Sequence, residues 1–146
     1  MASSKEPVKP VYALVGENLY QRREALDRIL AAVRQETGEA PQVTTVEGKR
    51  AELADVLDEV RTYSMFSQRR VVVVDEAEAL ISRHRDGLER YLQAPSDTGT
   101  LILLCPSLHK GTRLYKALHS AGAVVECEPL KGFAVSGWII RLARDS

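Results

Sequence analysis

The chain has 146 residues, enough for one domain with a real core, and 45% of it is apolar, an ordinary fraction for a globular protein. Its 20 Lys and Arg balance 20 Asp and Glu, so the domain has no overall field to gather nucleic acid, and any contact with DNA would have to be local. Cys105 and Cys127 are too few for a disulfide framework and read as buried reduced thiols, and with no signal region and no apolar run near the ~18 residues of a membrane span the expected location is cytoplasmic.

A polar, Pro-punctuated leader (1–10) ends at Pro10. Val11 to Val15 is a short apolar run halted by Gly16, which suits a buried strand that turns sharply. Leu19, Leu26, Ile29, Leu30 and Val33 then fall on one face at helical spacing until Thr37-Gly38 ends the helix. Gln42 to Val46 is β-rich and short, and Gly48 breaks it. A second amphipathic helix over 52–61 turns Leu53, Val56, Leu57 and Val60 inward. The stretch from Thr62 to Arg70 precedes the strand Val71 to Val74.

Residues 76–93 carry Ala79, Leu80, Leu88 and Leu92 at helical spacing, with an interruption expected between His84 and Gly87 and a stop at Ala94-Pro95-Ser96. After Gly99 comes the apolar strand Leu101 to Cys105, then a short helix over 112–120 closed by Gly122, then a last strand over 124–127. Strands that alternate with helices and are apolar throughout predict a mainly parallel sheet of about five strands covered on both faces, a three-layer α/β domain. From Phe133 a new helical stripe of Val135, Trp138, Ile139 and Leu142 runs to the last residues. The expected organisation is therefore a domain over 11–130 and, over 131–146, the start of a connection to a further helical domain.

Three groups of residues could carry chemistry. A phosphate-binding loop needs Gly-x-x-x-x-Gly-Lys-Ser/Thr, whose amides wrap the phosphates and whose hydroxyl holds magnesium. Counting from Gly16, those last three positions hold Gln21, Arg22 and Arg23, so the loop reads as degenerate and non-binding. Asp75 and Glu76 follow an apolar strand as the acidic residues of an ATPase do, yet carboxylates there also cap the next helix and favour its dipole, and the capping reading is preferred. A receiver domain would also keep an Asp where Asp75 stands, but Glu17 and Lys131 poorly replace that fold's other acidic and lysine positions, so this reading is only a minor runner-up. Lys110, Arg113 and Lys116, with His109 and His119, form a basic face that is either solvated or meets phosphate or an acidic partner. No metal site and no cofactor are expected. Met65 and Phe66, with Tyr63 beside them, are an apolar pair in a connection, either a local staple over the core or an anchor for another protein.

Val11 to Leu26, Met65 to Val74, Leu114 to Leu118 and Val124 to Gly132 together resemble the N-terminal domain of the delta subunit of bacterial DNA polymerase III, part of the clamp loader. The likeness runs through nearly the whole chain in order. It implies an AAA+-like, P-loop-type domain that has lost nucleotide binding, with no catalytic activity of its own, inside a DNA-directed DNA polymerase holoenzyme. It implies as partners the sliding clamp (beta subunit), the ATPase and delta prime subunits of the loader and, indirectly, DNA. In that family an apolar pair before the third strand inserts into a pocket on the clamp, and the matching positions here are Met65 and Phe66, with Tyr63 nearby. The Asp75-Glu76 pair departs from many relatives. The reading is thus a clamp-binding, clamp-opening module for DNA replication, against a magnesium-dependent nucleotidase or a receiver-like signalling domain.

Overall fold

The computed structural model of the chain describes residues 8–62 and 69–127. Among them strands and helices alternate as β1 (Val11–Val15), α1 (Leu19–Thr37), β2 (Gln42–Glu47), α2 (Leu53–Arg61), β3 (Arg70–Asp75), α3 (Ala77–Gln93), β4 (Gly99–Cys105), α4 (Arg113–Ser120) and β5 (Val124–Glu126). The strands form one sheet in the order β2-β3-β4-β1-β5, and all four neighbouring pairs are parallel. A receiver-like, flavodoxin-type domain would have the order 2-1-3-4-5, so that alternative loses its fold.

The valine run of β3 shows why the three inner strands are apolar throughout. Successive side chains of a strand point to opposite faces, so Val71 and Val73 meet α1 through Ile29 and Val33, together with Leu14 and Ile102. Val72 and Val74 face the other way, among Val56, Val60, Leu80, Leu88, Leu114 and Leu118 of α2, α3 and α4. With one helix on one face and three on the other, both sides of β1, β3 and β4 are covered, and the one buried polar residue among the described residues is Thr100, whose hydroxyl donates to the Lys9 carbonyl at 3.2 Å. Each fully buried Val or Leu side chain is worth about 1.5–3 kcal/mol over leaving it in water.

The expectation that every strand is apolar fails at β2. It is an edge strand, as β5 is, it alternates, and Val43 is 44% exposed, because one of its sides has no neighbouring strand. Leu19 is also misplaced by its spacing: it is 71% exposed, and only Ile29 and Val33 of α1 are fully buried. Burial in α1 is confined to its second half, so a residue on the apolar stripe of the first turn follows the helical spacing without being buried. The interruption expected in α3 is present at His84, which has φ −132° and ψ 38°.

Local chemistry ends the elements where the sequence suggests. Asn18 caps α1, its Oδ1 accepting from Gln21 N at 2.9 Å, and Gly38 closes it at φ 81°. Thr112 caps α4 by accepting from Tyr115 N at 3.2 Å, and Gly122 at φ 71° turns the chain into β5. The leader is joined to the sheet before β1 begins, since the Pro10 carbonyl accepts from Leu101 N at 2.8 Å. The connection expected over 131–146 lies outside the described residues. No helix among the described residues is long and apolar enough to cross a membrane.

Gly48 is a glycine the fold cannot replace, as is Gly99, where a Cβ would overlap the Val60 carbonyl. The Gly48 N–H donates to the Asp75 carbonyl at 2.7 Å, and a Cβ there would overlap the Glu76 carbonyl. Gly48→Ala must push β2 and β3 apart at their ends and is expected to cost at least ~2 kcal/mol, read as a lowered urea midpoint. Gly38→Ala meets no atom within 4 Å and only strains φ, and should cost about 1 kcal/mol in the same assay.

Candidate functional site

The turn between β1 and α1 occupies the place of a phosphate loop but has only three residues, Gly16, Glu17 and Asn18, before the helix starts. Gly16, at φ 138°, donates to the Cys105 carbonyl at 2.9 Å, and Asn18 N donates to the Cys127 carbonyl at 3.1 Å. Asn18 then takes the next amides: its Oδ1 accepts from Gln21 N and its carbonyl from Arg22 N at 3.0 Å. Four of the amides around the turn, those of Gly16, Asn18, Gln21 and Arg22, are therefore bonded within the protein. Arg23, in the place of the magnesium-binding hydroxyl, pairs across the helix surface with Asp27 at 3.4 Å. The expectation that Gly16, Gln21, Arg22 and Arg23 form a degenerate, non-binding loop concerns this turn. Asn18, which does most of the closing, is a residue the motif count overlooked; an Asn directly before a helical stripe was the available signal.

Asp75 and Glu76 lie at the end of β3, and β4 stands between them and the loop. What β4 presents at that end is Cys105, whose thiol burial pushes up to about 12, with Glu78 adding to the rise and Arg22 opposing it. Burial likewise lifts the Cys127 thiol to about 11, against the pull of Arg22. A neutral, buried thiol beneath the presumed phosphate position offers neither charge nor a strong donor. Asp75 Oδ1 accepts from Glu76 N at 2.9 Å, and Glu76 is in the left-handed region at φ 53° and pairs with Lys49 at 3.5 Å. The capping expectation is corrected here: no side chain caps α3, whose N-cap Glu76 is left-handed, and Asp75 spends its Oδ1 on the Glu76 amide. Among the described residues no group of three His, Cys, Asp or Glu could hold a metal ion.

The basic face divides. Lys110 and Lys116 share a shallow depression of about 400 Å³ with Tyr115, His119 and Ser120, and the Tyr115 and His119 rings stack at 5.8 Å. Arg113 does not line it; its Nε lies 3.7 Å from Glu89 Oε1 of α3, so one of the three expected cations serves the helix pair instead. A larger groove of about 1120 Å³ runs between α2 and α3 from His84 to Arg61, with Glu52, Asp58 and Asp86 mixed among Arg83, Arg85 and Arg90.

Tyr63, Met65 and Phe66 lie outside the described residues, but both ends of their segment are described. On one side Arg61 lies over the Tyr91 ring at 5.3 Å, and Thr62 Oγ1 donates to the Asp58 carbonyl at 2.7 Å. On the other, Arg69 donates from Nε to Thr100 Oγ1 at 2.9 Å and from its two terminal nitrogens to the Asp97 carbonyl at 3.2 Å and the Gly99 carbonyl at 3.3 Å. Arg70 pairs with Glu59 of α2. The segment is thus mounted at the start of β3 and β4, at the end of the sheet opposite the closed loop. Arg69 and Arg70 were missed as mounting residues; the signal was two arginines directly before a fully apolar strand, where charge is useful only if it bonds to neighbouring carbonyls or carboxylates.

The raised thiols fix a pH dependence. The unfolded chain begins to lose thiol protons near the ordinary value of 9.0, whereas the folded chain keeps them until about 11 and 12, so stability is intact below pH 9 and falls as pH rises above it. Urea midpoints between pH 8 and 10.5 should show a decline of up to about 1.4 kcal/mol per pH unit for each thiol, and Cys105→Ala should flatten it.

The model of the family described as DNA polymerase III, delta subunit, matches residues 12–128. The chain is 24% identical over 150 residues to the DNA polymerase III subunit delta of Bacillus subtilis strain 168, an alignment covering 96% of this chain and 43% of that protein. Among solved structures, the Bacillus subtilis DNA clamp loader delta protein superposes with a TM-score of 0.81 at 25% identity, covering 99% of this chain and 45% of that one. The chain thus spans less than half the length of these relatives and shares their AAA+-like fold. Since the match runs from the second residue of β1 to just beyond β5, taking in the closed turn at Asn18 and both mounted ends of the 63–68 segment, the chain belongs to the DNA polymerase III delta subunit family.

Proposed function

We propose that this domain is a non-catalytic clamp-loader element that binds the DNA polymerase sliding clamp through Met65 and Phe66, with Tyr63 beside them, and helps to open the ring during DNA replication. The observation that carries the reading is the family match across 12–128. The closed turn at Asn18 adds to it, since such a domain has to bind a partner without binding nucleotide. The segment that holds Met65 and Phe66 is fixed at both ends by Arg61, Arg69 and Arg70, which lowers the entropy lost when an anchor enters a pocket.

The mechanism is differential binding. The anchor pair fits the clamp better when one interface of the ring is sprung, so binding shifts the closed-to-open equilibrium without bond chemistry. The other loader subunits are partners of the longer protein, DNA is reached indirectly, and the place of action is the cytoplasm. Lys110 and Lys116 offer a face for phosphate or an acidic partner surface. The magnesium nucleotidase reading has nothing in its favour beyond the Asp75-Glu76 pair.

The test is calorimetry of the chain with its cognate clamp. Met65→Ala/Phe66→Ala should weaken binding by at least ~2 kcal/mol, more than tenfold, with an unchanged circular dichroism spectrum. Equal binding by the variant would place the clamp contact elsewhere, and loss of the fold would make the pair part of the core. Magnesium-ATP should give no binding heat with either protein; a heat abolished by Asp75→Asn would restore the nucleotidase reading.

A further inference from the structure

Of the two edge strands β2 is the longer, six residues against the three of β5, and its parallel register with β3 runs unbroken from Gln42 opposite Arg70 to Glu47 opposite Asp75. Gln42 N donates to the Arg69 carbonyl at 3.0 Å and Gly48 N to the Asp75 carbonyl at 2.7 Å. Backbone groups alternate along a strand, so Thr44 and Val46 also turn theirs to β3, while Val43, Thr45 and Glu47 turn theirs outward, where no strand of the described residues lies. Such edges are ordinarily blunted by a lysine, a proline or a bulge. β2 has none of the three, and its Val43, Thr44, Thr45 and Val46 are all β-branched.

A depression of about 390 Å³ opens between this edge and α2. Val46, Val56 and Val72 make its floor. Its rim carries Glu47, Glu52, Asp55 and Glu59 against one cation, Arg50. Arg50 is paired with Glu47 at 3.4 Å and Glu59 with Arg70, whereas Asp55 has no cationic partner among the described residues. Thr44 and Val46 face α2, since Thr44 Oγ1 donates to Glu59 Oε2 at 3.3 Å and Val46 packs on the α2 side of the core. A strand laid beside them would put every second side chain into the depression, and its other side chains beside the exposed Val43.

We propose that β2 takes up an extended segment of a partner protein as a further strand, with an apolar side chain in the depression and lysines or arginines on either side of it to meet the acidic rim. Main-chain bonds to Val43, Thr45 and Glu47 supply the attachment, and the depression with Asp55 beside it supplies the choice of segment. A nucleic-acid strand is repelled by the rim, and a second copy of the chain would set two acidic rims against each other. The site uses none of Tyr63, Met65 and Phe66, so it and the clamp-binding reading fail separately.

The probe is the capped peptide Thr-Lys-Val-Leu-Thr-Lys-Thr, whose leucine and two lysines share one face of a strand. Amide hydrogen exchange of the 146-residue chain, followed by NMR, reads the edge directly. In the free chain the Val43, Thr45 and Glu47 amides should exchange fast and those of Thr44 and Val46 slowly; saturating peptide should slow the first three by at least about tenfold and leave the others as they were. Glutamate in place of both peptide lysines should weaken binding by about tenfold, and Asp55→Asn should weaken binding of the lysine peptide by roughly threefold. Thr45→Pro removes an outward N–H and no bond to β3, and should abolish the protection while far-UV circular dichroism stays that of a folded α/β domain. Should the proline variant unfold, the glutamate peptide and Asp55→Asn, an exposed change, still decide the matter. The proposal is overturned if the lysine peptide leaves the three outward amides fast, if the glutamate peptide protects them equally, or if they are already slow in the free chain. Protection that rises with chain concentration alone would also overturn it, making a second copy the occupant of the edge.

Discussion

The whole arrangement hangs on β4, the middle strand of the sheet. A strand buried on both faces must have every backbone donor and acceptor bonded, and β4 achieves this by holding β3 on one side and β1 on the other. Its two ends do more. At its start, Thr100 and the Gly99 carbonyl take the guanidinium of Arg69; at its finish, the Cys105 carbonyl takes the Gly16 amide. One rod of seven residues therefore fixes the geometry of both ends of the domain.

Those ends have been put to different uses. Where related α/β domains bind phosphate, here Asn18 accepts from the Gln21 and Arg22 amides, Cys105 is a buried neutral thiol, and Glu76 holds a left-handed backbone beside Gly48. Hydrogen bonds within the chain tie the turn to β4 and to the residue after β5, which stiffens that end. At the opposite end the arginines at 61, 69 and 70 bond to ring, carbonyl and carboxylate groups and leave the intervening segment between two fixed posts. On the clamp-binding reading proposed above, both features would help, because compliance in either would dissipate binding energy.

Much of this could be read from the residues. The runs at 11–15, 71–74 and 101–105 are continuous because both faces of β1, β3 and β4 are covered, and that continuity is what announced a parallel three-layer sheet. Glycines at 38 and 122, and the break at His84, marked boundaries correctly because backbone conformation is set locally. The errors occurred where the surroundings decide. Leu19 obeys the helical period yet stands exposed, and β2 carries valines but has no neighbouring strand on one side. The Asp75-Glu76 pair looked like a cap, and only the left-handed backbone at Glu76 shows otherwise. The lysines at 110 and 116 kept their common face, whereas Arg113 was claimed by Glu89, a partner from another helix that no local spacing reveals.

The strand order also dictates when the domain can form. No two neighbouring strands join by a hairpin, and β1, the first made, pairs with β4 in a register that sets Val11 against Leu101, a separation of 90 residues. At ribosomal speeds of 5–20 residues per second, β1 waits about 5–20 s for its partner to be synthesised. During that time β2, β3 and β4 can zip in sequence order, each joined to the next by one helix, but the slot beside β4 stays open until the oldest part of the chain returns to fill it. The nascent domain thus exposes an apolar strand and a vacant sheet edge at once, the pairing hazard that chaperone binding during translation exists to suppress.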